Sequence, residues 1–523
     1  MTEIFKKKSE WVWPFLILMI ISFVIFGVNR IIDLILIKSG LNFFSVFYNE
    51  DVGNMTNTLG GLGELVASVL GIEITVLAII VQLAANKYSS KVMELFIGDR
   101  VNFVVISIYV ITAINTVLVS NTISNEAVPY FSITICLVLI VISLLIVIPH
   151  FNYVFNFLRP NNFLSYVKDK ILKNLKNLSE GKRKYSYSVK EEISESINFI
   201  GDIALNSVIQ GDRATTLQCL AILREITVKY LGYKKDLPAN WFKMSGLEYF
   251  DPDFSSYSRF VMTVIENKKI FLERKVFRLF EMLFAYSRVT LRDVASGVLL
   301  NSELIASGAV KANDKGALYC VFQYFNSYLR ISIRERDPRS AFNTLEHYRI
   351  LAEELLDEDP YEVENISFYF KYYGQEANKN QVLFIIETAA HDLCMINELA
   401  YEKKVPNIRN LLQMFLTVDE PLEEAAEEQQ SVKEMSLIGV RIAQAKLAGF
   451  YLLKGDIELA RIIYDDMKIE PYSRISKIQD MIFNTKDEEF WEITPRGINF
   501  NYVAPERREA LQEFFSWFSK AQV

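Results

Sequence analysis

Four stretches of the 523-residue chain, about 13–37, 61–85, 102–120 and 129–149, are apolar over some twenty residues. Hydrocarbon about 30 Å thick takes roughly 20 residues of helix to cross, and a backbone inside it satisfies its polar groups only within the helix itself. This pattern predicts four membrane-spanning helices in residues 1–159. The rest of the chain follows a 3.6-residue apolar period with few strand signals, which predicts an all-α protein: a four-helix transmembrane region followed by a large α-helical domain of helix hairpins. The expected divisions are 1–159 for the spans, 160–188 for a membrane-proximal basic amphipathic helix and linker, and 189–523 for the helical domain.

Charge placement sets the expected topology. Lys6–Lys8 precede the first span, Lys87, Lys91 and Arg100 lie between the second and third, and Lys168, Lys170, Lys173 and Lys176 follow the fourth. The other two loops carry Glu50, Asp51 and Glu126. The excess of Lys and Arg on one side predicts both termini in the cytoplasm and a multi-pass protein of the inner (plasma) membrane. The four lysines after the fourth span also suit anionic lipid headgroups. The formal charge of −7 resides mainly in the remainder of the chain, which argues against nucleic acid as a partner.

Polar residues inside the spans are the candidate functional residues, because a charge at the bilayer centre costs about 2.5–3.5 kcal/mol on the mildest scale. In the second span Glu64, Ser68, Gly71, Thr75, Ala78 and Gln82 fall on one helical face. Two readings compete for it: a close helix–helix seam of small and hydroxylated residues, or a water-lined path in an oligomer. Glu73 lies off that face, near the middle of the span, where Tyr109, Thr112 and Asn115 of the third span are candidate donors. Arg30 of the first span comes near the depth of Glu64, with Asp33 as a local competitor.

The run Gly71–Arg100, GIEITVLAIIVQLAANKYSSKVMELFIGDR, resembles the signature of an uncharacterised family of predicted bacterial membrane proteins. Gly71, Thr75, Gln82, Ser89, Phe96 and Asp99 occupy the signature places in order. Ser90 and Lys91 stand where the family has Pro-Arg, and Glu73 replaces an apolar residue. A second segment, Ala204-Leu205-Asn206 and then Asp212 to Thr215, resembles the family's alanine-rich stretch. The resemblance spans about residues 60–230 and implies a membrane topology rather than an activity.

In the helical part, Asp212-Arg-Ala-Thr and Asp337-Pro-Arg-Ser share an N-cap pattern about 125 residues apart, which suggests two related units. Leu447, Ala448, Tyr451, Gly455, Ala460 and Tyr464 match a tetratricopeptide-like hairpin, a scaffold that often binds other proteins. The acidic run Asp419–Glu428 lacks the converging turn of a calcium site and reads as solvated charge. Cys136, Cys219, Cys320 and Cys394 are too far apart for a zinc or redox motif and read as buried thiols. His150, His347 and His391 are isolated and read as satisfied side chains. No phosphate loop, nucleophile elbow or metal cluster occurs, so no enzyme, metal or cofactor is expected. Three functions remain: an oligomeric ion channel or pore lined by the second span, a membrane-anchored scaffold or sensor binding a protein partner, or a proton-linked transporter using Glu73.

Overall fold

The computed structural model describes all residues except 1, 40–43, 45–47, 49–50, 125–126, 245–247, 383, 420–429 and 521–523, and leaves out the side chains of 2–12, 14, 15, 249, 430–436, 519 and 520. The acidic run expected after Asp419 therefore lies outside the described residues, as do Glu50 and Glu126. Among the described residues there are no strands, and 82% of the chain is helical. The chain forms two compact units, residues 1–166 and 167–523.

The first unit holds helices α1 (Thr2–Ser39), α2 (Val52–Lys87), α3 (Lys91–Ile97), α4 (Arg100–Ser120) and α5 (Tyr130–Phe157), and α6 (Pro160–Ser179) begins in it. Four of these, α1, α2, α4 and α5, are long and apolar enough to cross a membrane. The segment is a membrane domain with four such helices. Helix α2 starts at the Asp51 cap, whose carboxylate accepts from the Asn54 N–H, and its 36 residues outrun the predicted span at both ends. At 1.5 Å per residue it is about 54 Å long, well beyond the hydrocarbon thickness.

Helices α4 and α5 form the centre of this unit, with α1 and α2 each packed against both. Leu59 and Val66 of α2 meet Val105, Tyr109 and Val119 of α4 and Ile133, Cys136 and Ile140 of α5. Gly63 lets α2 approach α4 closely, since a Cβ there would come 3.1 Å from Thr116 Cγ2. The close seam of α2 within the chain thus runs through Leu59, Gly63 and Val66, not through the predicted small and polar face.

The second unit takes in most of α6, then α7 (Tyr187–Ile209), α8 (Arg213–Tyr233), α9 (Ala239–Phe242), α10 (Arg259–Asn267), α11 (Phe271–Thr290), α12 (Arg292–Lys311), α13 (Lys315–Arg334), α14 (Pro338–Glu358), α15 (Pro360–Lys379), α16 (Ile385–Glu402), α17 (Ile408–Leu416), α18 (Gln430–Leu453), α19 (Ile457–Met467), α20 (Tyr472–Asn484) and α21 (Pro505–Lys520). Long helices pair in sequence and stack, α12 on α8 and α14, and α16 on α14 and α18. The hairpin read from Leu447 to Tyr464 is present as α18 and α19, with Ala448, Tyr451 and Ala460 buried between helices.

Its connections repeat one geometry. Gly211, Asn313, Arg336 and Gly455 adopt positive φ, each just before an Asp that caps the next helix. In each, the Asp N–H reaches back to a carbonyl five residues earlier: Ser207, Ala309, Ser332 and Tyr451, at 2.8–3.0 Å. The joint predicted at Asp212 and Asp337 thus recurs at Asp314 and Asp456.

The basic face of α6 carries ion pairs within the second unit. Lys168 pairs with Glu225 at 3.0 Å, Lys170 with Glu192 at 2.9 Å and Lys176 with Glu180 at 3.7 Å. Three of the four lysines expected to meet anionic lipid are therefore already engaged by carboxylates, leaving Lys173. The apolar side of the helix, Val167, Ile171, Leu175 and Leu178, is buried. Amphipathicity here serves packing of the protein itself.

Candidate functional site in the membrane bundle

Glu73 is 3% exposed, on the face of α2 turned to α4 and α5. Its Oε1 lies 2.6 Å from His150 Nδ1 of α5, and His150 Nε2 lies 3.0 Å from Asn102 Oδ1 of α4. The Asn102 amide nitrogen in turn donates to the Phe96 carbonyl at 2.8 Å. A chain of polar groups therefore crosses from α2 through α5 to α4 and ends on backbone. Burial of each group is offset by the next, as polar groups withdrawn from water require.

The donors expected for Glu73 are only partly those found. Tyr109 faces it. Thr112 instead donates to the Ile108 carbonyl and accepts from Ser143, and Asn115 donates to the Ile111 carbonyl. His150, read as an isolated satisfied histidine, is the principal partner. The partner Asn102 lies in the first turn of α4, so Glu73 bonds toward one end of the bundle and not at its middle. The missed signal is a simple one: His150 closes the fourth apolar run at the end toward which Glu73 bonds.

The signature residues build the frame around this chain. Asp99 caps α4, its Oδ1 accepting from the Val101 N–H at 2.9 Å and the Asn102 N–H at 3.4 Å. The same oxygen accepts from the Tyr153 hydroxyl at 2.9 Å. The Phe96 ring meets Phe157 edge-on at 5.9 Å, and its carbonyl holds Asn102. Ser89 turns the chain from α2 into α3, accepting at its carbonyl from the Val92 N–H at 3.0 Å. Together these residues fix the start of α4, and with it the amide that holds His150.

Other predicted residues lie apart. Glu64, Ser68, Gly71, Thr75 and Gln82 are exposed on α2. Ser68 donates to the Glu64 carbonyl and Thr75 to the Gly71 carbonyl, both at 2.8 Å. An Arg30–Glu64 pair does not form; α1 packs mainly on α4 and α5. The Nη1 of Arg30 is buried without a hydrogen-bond partner among the described residues. Asp33 is turned to the start of α5, accepting from the N–H groups of Phe131 and Ser132 at 3.0 and 3.2 Å and from the Ser132 hydroxyl. A helix N-terminus with free N–H groups favours a carboxylate there. Asp212 and Thr215 belong to the second unit, where Asp212 caps α8 through the Thr215 N–H and hydroxyl.

Burial pushes the Cys320 thiol up to about 12 and raises Cys219 and Cys394 as well, which keeps them as thiols and unreactive. Among the described residues no group of His, Cys, Asp and Glu is placed to hold a metal.

Residues 7–206 match the model of a family described as predicted membrane protein, DUF2254. That match covers less than half of the chain. The DUF2254 match starts nearer the N-terminus than the resemblance read from Gly71–Arg100 and takes in all four spans, Glu73, Asn102 and His150. It stops at 206, so Asp212 and Thr215 fall beyond it. No curated protein matches the chain. No solved structure matches it either.

Proposed function

We propose that the protein is an ion-conducting homo-oligomer of the plasma membrane, with the α2 face of Glu64, Ser68, Gly71, Thr75, Ala78 and Gln82 turned toward the same face of sister copies. One observation supports this reading: the face is uncovered among the described residues, and it includes a carboxylate and an amide within a span-length apolar helix. A charge or amide against hydrocarbon is costly, whereas water on an oligomer axis solvates both. The hydroxyls of Ser68 and Thr75 are satisfied by their own helix and so tolerate either surrounding. In this reading the Lys- and Arg-bearing end lies in the cytoplasm, and the helical unit gathers or gates the subunits.

Purified protein in liposomes is expected to pass ions, and Thr75→Leu or Gln82→Leu to change conductance while the oligomer persists. Absence of flux, with single cysteines along the face unreactive to aqueous reagents, would leave the anchored-scaffold reading in its place. A second reading, proton-linked transport, is supported by the burial of Glu73 against His150. Its test is pH-dependent uptake that stops in Glu73→Gln.

A further inference from the structure

At the end of the bundle where α3 meets α4 lies a groove of about 570 Å³, lined by Glu94, Asp99, Arg100 and Tyr153 together with aromatic and small residues. Two polar layers lead inward from it. Asp99 with Tyr153 forms the first, and Asn102 with His150 the second. Each residue of the second layer lies three positions from its counterpart in the first, which on a helix is the same face one turn on. The first layer lines the groove, and the second is buried against Glu73.

Hydrogen bonding fixes how many protons the inner layer holds. The Asn102 nitrogen donates to the Phe96 carbonyl, so its oxygen faces His150 Nε2, and that nitrogen must carry a hydrogen. With Nε2–H committed, Nδ1 and Glu73 Oε1 can bond at 2.6 Å only with one proton between them. Either placement of that proton leaves the pair neutral overall, which is the charge a dry site tolerates. Among the described residues the other oxygen, Oε2, has no hydrogen-bond partner, nor has the Tyr109 hydroxyl that faces Glu73. When the shared proton departs to water, a carboxylate remains, and Tyr109 is placed to donate to it.

We propose that Glu73 and His150 form a proton-binding site that exchanges one proton with solvent through the groove walled by Asp99 and Tyr153. This deepens the proton-linked reading and rests on it, but its test reads protons and not solute. The titratable or charged groups around the site are Tyr109 from α4, with Asp99 and Arg100 at that helix's start, Glu94 from α3, and His150 and Tyr153 from α5.

The test uses the full-length chain with isotope-labelled histidine in phosphatidylcholine nanodiscs, the His150 nitrogens being those lost in His150→Gln. The expected spectrum has a protonated Nε2 and an Nδ1 whose shift reports a shared proton and moves in Glu73→Gln. An Nδ1 without a shared proton, unchanged in Glu73→Gln, overturns the site. The route is read with Glu94→Cys, an exposed position on the groove wall; the four native cysteines are buried. A bulky thiol reagent there is expected to slow deuterium exchange at the His150–Glu73 pair by at least an order of magnitude, and exchange at an unchanged rate overturns the groove as the route. Retained proton sharing without any solute uptake would sink the transport reading and leave the proton site standing.

Discussion

Glu387, in the first turn of α16, packs its side chain against Gly439 of α18, where an added Cβ would meet its Cγ at 2.4 Å. Burial pushes its carboxyl up to about 7. A carboxyl raised in the folded state is unionised there at low pH and costs nothing, and the folded state loses stability as pH climbs from the ordinary carboxyl range through about 7. Glu387→Gln keeps the shape and removes the ionisation. It is expected to leave stability unchanged at acid pH and to raise it in alkaline buffer by up to roughly 3 kcal/mol, each pKa unit being worth about 1.4 kcal/mol. Denaturant unfolding at the two pH values checks this, and an equal effect at both would refute it. Glu73 shows what sequence does and does not reveal about such groups. A lone carboxylate in an apolar run is visible at once, but its partner stands 77 positions away and is chosen by helix packing. The nearer hydroxyl and amide candidates, Thr112 and Asn115, are drawn instead to carbonyls one turn back, a local bond that competes with any tertiary one.

At the scale of elements, the recurring joint of the second unit pairs a left-handed residue with a capping Asp. Glycine adopts that conformation without strain and occupies it at 211 and 455, whereas Arg336 holds φ at 51° with a side chain attached. Arg336→Gly is expected to stabilise the unit by about 0.5–1 kcal/mol, since the relief of strain exceeds the added freedom of the unfolded chain. Asp337→Ala removes the oxygens that accept from the Ser340 N–H and hydroxyl, at 3.1 and 2.7 Å. That change should cost about 1 kcal/mol, as lost caps typically do. Thermal unfolding of the two variants should therefore move in opposite directions, and a shared sign would show that the joint is not the unit of stability described. The caps at Asp212 and Asp337 were legible because Asp three residues before Ser or Thr is a strong local signal. The joints at Asp314 and Asp456 follow the same rule with Ala and Leu at the third position, where no side-chain hydroxyl marks the pattern.

For the molecule as a whole, four apolar runs made the membrane domain evident, while the exposure of the α2 face depended on which neighbours α2 acquires. Helix α1 packs on α4 and α5, and Glu64, Ser68, Gly71, Thr75, Ala78 and Gln82 stay exposed among the described residues. The second unit has its own core, built from residues such as Trp241, Phe280, Tyr328 and Tyr348, all fully buried. A unit with its own core is expected to fold alone. A fragment starting at Pro160, which keeps α6 whole, should remain in solution without detergent and unfold cooperatively; a need for detergent would contradict this. Its oligomeric state then bears on where subunits meet. If assembly depends on the bare α2 face, the fragment is a monomer while the full-length chain in detergent is not. A fragment that self-associates as strongly as the intact chain would instead place the subunit contact in the helical unit and leave the α2 face without a reason to be covered by a sister copy.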